Sequence, residues 1–179
     1  MLYLWGNRFR ASVQFLTHGV CLQGLRASAM EVGVGGFIAL GAECEVLALS
    51  FHPLRGQVCV AIASTSGCEL VEADTATGDV LARIPLGRRV RHICHQLVGA
   101  GGGWGEPAVL ILAYDGGDVE VWDSETRVLK DRMLPSKKDE GKAVTAMASS
   151  ASGTSAIIYY VRGGTSIERA EVGAGKSMR

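Results

Sequence analysis

The residues of this chain that look most like a catalytic element are Gly173-Ala174-Gly175-Lys176-Ser177, which read as the end of a phosphate-binding loop. Such a loop needs G-x-x-x-x-G-K-[ST] between a strand and a helix, because backbone N–H groups at the helix N-terminus cradle the phosphates. Here the first glycine position is Ala170, and Met178-Arg179 after Ser177 hold no helix. The alternative reading is a turn.

Other candidates for chemistry are sparse. Arg88, Arg89 and Arg91 fall in "GRRVRH", where paired guanidinium groups could hold an acidic peptide or a phosphate in bidentate fashion. A solvated polar loop is the plainer account of the same residues. Trp104 stands at the tip of the glycine-rich stretch 99–107, as an apolar anchor for a partner or as a lid over its own sheet. His18, His52, His92 and His95 are not at helical metal spacing, and a strand through "HICH" puts His92 and Cys94 on one face. The five cysteines, at 21, 44, 59, 68 and 94, include no C-x-x-C pair, so they read as reduced, mostly buried thiols of an intracellular protein. No nucleophile–base or carboxylate pair stands out. The expectation is a chain that is not an enzyme and holds no metal and no cofactor.

Composition narrows the partners. Eighteen basic residues balance eighteen acidic ones, which removes a global electrostatic argument for direct nucleic-acid binding or for an anionic membrane. Arginines interrupt the apolar start "MLYLWGNRFRASVQFLTHG", and the longest apolar runs, such as "AVLILAY", have strand length. Neither a signal peptide nor a membrane span is expected.

The elements that would position these groups follow from turn signals. In "YDGGDVEVWDSETRVL" a glycine turn precedes an alternating run, and Asp123-x-x-Thr126 follows it. An Asp carboxylate there bonds nearby backbone N–H groups and pins a tight turn between antiparallel strands. The pattern recurs around Asp74 and Glu171. Gly67, Gly116 and Gly164 each lie seven residues before the acidic position, and these six residues are the expected structural turn positions. Apolar runs at Val60–Ile62, Val109–Ile111 and Ile157–Tyr159 precede them, each after V-x-x-[LIM] at Val46/Leu49, Val90/Ile93 and Val144/Met147. Four short strands per unit result. In the third unit "VGAGK" stands where "TATGD" stands in the first, which makes the apparent phosphate loop a β-turn.

Four strands per unit, a period in the forties, "VLALSFHP", the "DTATG" turn and "VWD" resemble the WD-repeat β-propeller family over about residues 41–179. Gly-His is absent from all three units, and Ala73 and Ala170 stand at the position of Trp122, so the repeats are degenerate.

The resulting expectation is an all-β chain, a partial β-propeller of about three four-stranded antiparallel blades. Its parts are an N-terminal remnant over 1–40, repeats over 41–87, 88–141 with the insertion 99–107, and 142–179. The resemblance implies a non-enzymatic scaffold, cytoplasmic or nuclear, whose loops hold other proteins or peptides. Two alternatives stay open: the propeller part of a larger NTPase or regulatory protein, or of an RNA-processing assembly. Calorimetry with ATP and with GTP is expected to show no heat of binding, and micromolar affinity lost on Lys176→Ala would restore the phosphate loop.

Overall fold

The computed structural model describes residues 11–13, 25–27, 30–32, 36–38, 40, 44–98, 108–152, 155–164 and 166–173. These residues are all-β: fifteen strands and one 3-10 turn, Lys137–Asp139. The strands are β1 (Ala11–Val13), β2 (Leu25–Ala27), β3 (Met30–Val32), β4 (Gly36–Ile38), β5 (Cys44–Phe51), β6 (Gln57–Ser64), β7 (Gly67–Asp74) and β8 (Val80–Leu86). They continue with β9 (Val90–Leu97), β10 (Ala108–Tyr114), β11 (Val119–Asp123), β12 (Leu129–Met133), β13 (Val144–Ser152), β14 (Ser155–Arg162) and β15 (Ile167–Gly173). Three antiparallel meanders follow one another: β5 to β8, β9 to β12, and β13 to β15. β2 adds to the β5 edge of the first, and β1, β3 and β4 form a small mixed sheet.

The chain divides into two compact units, 1–89 and 90–179. In the first, Val58, Val60, Ile62, Val71 and Ala73 of the first meander pack with Cys44 and Val46 against Ile38 and Leu40. In the second, Val109, Ile111, Ala113, Val119 and Val121 of the second meander face Val144, Ala156, Ile158, Tyr160, Ala170 and Val172 of the third. Each V-x-x-[LIM] pair is where the pattern requires: Val46, Val90, Ile93 and Val144 are buried, and Leu49 and Met147 pack at the core edges.

The central strands are apolar on both faces. β10 is buried at all seven positions, and β6 at Val58 through Ile62. Outer strands differ. β12 presents Lys130, Arg132 and its neighbours to water, the charged edge that keeps a sheet from pairing with a stranger.

The three hairpins are not identical. Asp123 pairs with Val109 and Glu171 with Ile157, fourteen residues back in each case. Asp74 pairs with Gln57, seventeen back, because β6 and β7 run on to a two-residue turn at Thr65-Ser66. The apolar runs therefore align along the sequence but slip by three residues in the pairing. Gly67 is consequently the first residue of β7, with φ +129°, and Gly116 lies in a turn whose left-handed residue is Gly117. The 99–107 insertion with Trp104, and Ala174 to Arg179 with most of the apparent phosphate loop, lie outside the described residues.

Ile111 is fully buried between the second and third meanders. Ile111→Ala is expected to lower the unfolding free energy by about 2–5 kcal/mol, and Ile111→Val by about 0.5–1.5 kcal/mol. Denaturant titration measures both, and equal midpoints for wild type and Ile111→Ala would contradict this core.

Candidate functional site

The acidic turns form at two of the three expected places. Asp74 ends β7, and its Oδ1 accepts from the N–H groups of Ala76 (2.8 Å) and Thr77 (2.9 Å). Asp123 ends β11 and repeats the arrangement with Glu125 (3.0 Å) and Thr126 (2.8 Å). Thr77 Oγ1 in turn accepts from Asp79 N–H at 3.2 Å. The Thr126 N–H, outweighing the effect of burial, helps bring the Asp123 carboxyl down to about 2, and Lys130 at 3.3 Å adds to it. The Thr77 and then the Ala76 N–H lower Asp74. Glu171 differs: it lies inside β15, two residues before the strand ends, and pairs with Arg169 at 3.0 Å on an exposed face. One methylene longer than Asp, it forms an ion pair along its strand.

A second set of charges was not foreseen from the sequence. Glu120, on β11, is buried and accepts four hydrogen bonds: from Tyr114 Oη (2.7 Å), Trp122 Nε1 (3.0 Å), Arg132 Nε (2.8 Å) and Arg132 Nη2. Burial alone raises this carboxyl, and the Tyr114, Trp122 and Arg132 bonds outweigh it, so Glu120 sits below the ordinary range. The arrangement depends on register, with Glu120 directly opposite Arg132 across the β11/β12 ladder. The third meander builds a parallel case. Glu168, three residues before Glu171 as Glu120 is before Asp123, takes Arg162 Nη1 on both oxygens (3.1 and 2.9 Å). Arg162 is itself buried, lies over the Tyr160 ring at 5.2 Å, and donates Nε to Gly117 O at 3.1 Å.

Gly117 is where those two meanders touch at their turns. It has φ +88°, and a Cβ there would stand 2.4 Å from the Lys142 carbonyl oxygen. Only glycine fits that approach. Further along the same contact, His92 Nε2 bonds the Val144 carbonyl at 3.1 Å, Cys94 Sγ bonds Ser149 Oγ at 3.3 Å, and Ser149 donates to Gln96 Oε1 at 2.9 Å. His92 and Cys94 do share a face, directed at β13. Burial lowers His92 and raises the Cys94 thiol, favouring the neutral form of each. Among the described residues no group of three His, Cys, Asp or Glu is placed to hold a metal.

The arginines of "GRRVRH" have separate partners. Arg89 bonds Glu45 at 2.8 Å, Arg91 bonds Asp115, and Arg88 is half-buried. What gathers at one end of the second unit is polar and structural: the 115–118 turn, the 134–143 connection and the turn after β14. No protein-family model matches the chain, and no curated protein sequence matches it.

A carboxyl whose folded pKa is depressed contributes stability above its unfolded value, and that contribution is lost as pH falls through the folded one. For Asp123 the window runs from about pH 4 down to about 2. Urea titrations are expected to show unfolding free energy falling across that window, with a shallower fall in Asp123→Asn. Identical acid limbs would mean that the turn contributes nothing.

Proposed function

We propose that the chain is part of a WD-repeat β-propeller and works as a non-enzymatic scaffold, displaying loops to protein or peptide partners. The observation that carries this is how each meander uses its faces. Ala73 and Ala170 stand one residue before the acidic position, and both pack toward the element that precedes their sheet in the chain. Val121, two residues before, packs toward the sheet that follows. Within the second unit the forward face of the second meander meets the backward face of the third, a heterologous contact of the kind that, when repeated, can close into a ring.

The face that the third meander would offer forward bears Ile157, Tyr159, Val161 and Ile167, the last 74% exposed. Those side chains suit a further sheet. In a stack of this kind the sheets stay rigid and the connections between them carry variable contacts. Residues 88–91, the end of the connection and the start of β9, supply arginines, of which Arg89 and Arg91 are held in exposed ion pairs by Glu45 and Asp115. Such pairs contribute only about 0–1 kcal/mol and exchange readily for an incoming carboxylate.

The test uses an array of acidic and phosphorylated peptides. Binding at micromolar affinity is expected to weaken about tenfold or more, ~1.4 kcal/mol, when Arg88, Arg89 and Arg91 are together changed to Glu, with the far-UV spectrum and melting curve retained. Peptides that bind wild type and triple variant alike would remove this connection from the display surface, and turnover of a substrate by the purified chain would overturn the scaffold reading itself.

A further inference from the structure

We infer that Ser136 is a phosphorylation site, read by a serine kinase that selects acidic residues after the hydroxyl, and that the phosphate releases the connection between the second and third meanders. The inference is independent of the scaffold reading. Two described serines have an acidic residue three positions on: Ser66, before Glu69, and Ser136, before Asp139 and Glu140. A kinase must wrap an extended segment around the hydroxyl it phosphorylates. Ser66 cannot offer one, because it sits in a two-residue hairpin turn with its N–H on Ser64 Oγ. Ser136 lies in an exposed connection of ten residues between β12 and β13, after Leu134, which is 66% exposed.

The hydroxyl is not idle. Ser136 Oγ donates to Asp139 Oδ2 at 2.5 Å, Lys142 Nζ bonds Asp139 Oδ1 at 3.0 Å, and two backbone bonds, Asp139 N–H to Ser136 O and Lys142 N–H to Asp139 O, close the 3-10 turn. In the transfer, Ser136 Oγ attacks the γ-phosphorus of ATP. The Oγ–P bond forms as the bond to the β-phosphate oxygen breaks, ADP leaves, and the hydroxyl proton passes to the kinase's catalytic carboxylate.

The product puts about −1.5 to −2 charges where a donor had been. The Ser136 hydroxyl, and then Lys142, hold Asp139 ionised, so the phosphate meets a carboxylate and the two repel. Lys137 and Lys138 flank the site, and Lys142, which already bonds Asp139, is the cation whose position matters beyond the turn. Its stem lies over Gly163, where a Cβ would stand 2.7 Å from Cδ, and its carbonyl oxygen packs on Gly117. Drawing Lys142 to the phosphate therefore disturbs the contact between both hairpin turns.

Incubation of the purified chain with ATP, Mg2+ and an acidophilic serine kinase is expected to add one phosphate, located at Ser136 by peptide mass mapping. Ser136→Ala should lose it, Ser66→Ala should keep it, and Asp139→Asn with Glu140→Gln should slow incorporation severalfold. Amide exchange at Asp139 and Lys142 should quicken in the phosphorylated chain while β10 stays protected. Absence of incorporation, incorporation undiminished in Ser136→Ala, or unchanged exchange at Asp139 and Lys142 would each overturn the proposal.

Discussion

A strand that is apolar on both faces cannot stand at a surface, and two of the described strands are of this kind. β6 and β10 are buried on both sides through their middle residues, whereas β14, "SAIIYYVR", is buried on one face and leaves Tyr159 exposed on the other. β6 and β10 must each be flanked by partners in their own sheets and covered above and below by other elements. The remaining architecture follows from that requirement. Strands on either side are shorter or more polar, turns are tight, and charged groups are pushed to the ends and outer edges, where water or a fixed partner can satisfy them.

Stacking sheets leaves a particular difficulty at the rims, where polar groups are covered without being central. The second and third meanders solve it at the same sequence position with different chemistry. Tyr114 and Arg162 both lie nine residues before the acidic position, and each reaches the carboxylate six residues further on, Glu120 or Glu168. With a neutral phenol at that position, Glu120 needs a cation from elsewhere, and β12 supplies Arg132. With a guanidinium there, Glu168 is neutralised from within its own hairpin. A buried carboxylate is costly unless its charge and its lone pairs are both answered. The covered charge is Glu120 in the second meander and Arg162 in the third, where Glu168 is the partly exposed partner.

Much of this was legible from the sequence because it is local. Asp74 and Asp123 bond backbone N–H groups two and three residues on, so spacing alone fixes the geometry. The V-x-x-[LIM] pairs and apolar runs mark core strands without reference to anything distant. What was not legible depends on which residue lies across a ladder. Nothing within a few residues of Glu120 points to Arg132, which meets it only through the β11/β12 register. The same holds for the three-residue extension of the first hairpin, which leaves the apolar alignment intact while moving its turn. Gly117 rather than Gly116 adopts the left-handed conformation because the turn bonds Gly117 N–H to Tyr114 O, a choice between adjacent glycines that composition cannot make. Glu171 was grouped with the aspartates by charge, but a backbone-capping turn needs the shorter side chain.

These differences explain how the units can lose motif residues and keep one architecture. Trp122 contributes its indole N–H to Glu120, whereas Ala73 and Ala170 at the same position contribute nothing polar and pack into cores instead. The side chain at that position can vary because the sheet does not rely on it for pairing. Pairing comes from backbone groups and from the acidic turn, and covering comes from the stack. A tryptophan is useful only where a buried carboxylate stands two residues before it, on the same face of the strand. In the first meander that residue is Glu72 for Asp74, not Ala73, and Glu72 takes a thiol donor instead, Cys59 Sγ at 3.3 Å from its own neighbouring strand. The first unit thus moves its carboxylate to Glu72, and the third keeps Glu168 two residues before Ala170 and answers it with Arg162. What persists across units is an apolar central strand with at least one buried face.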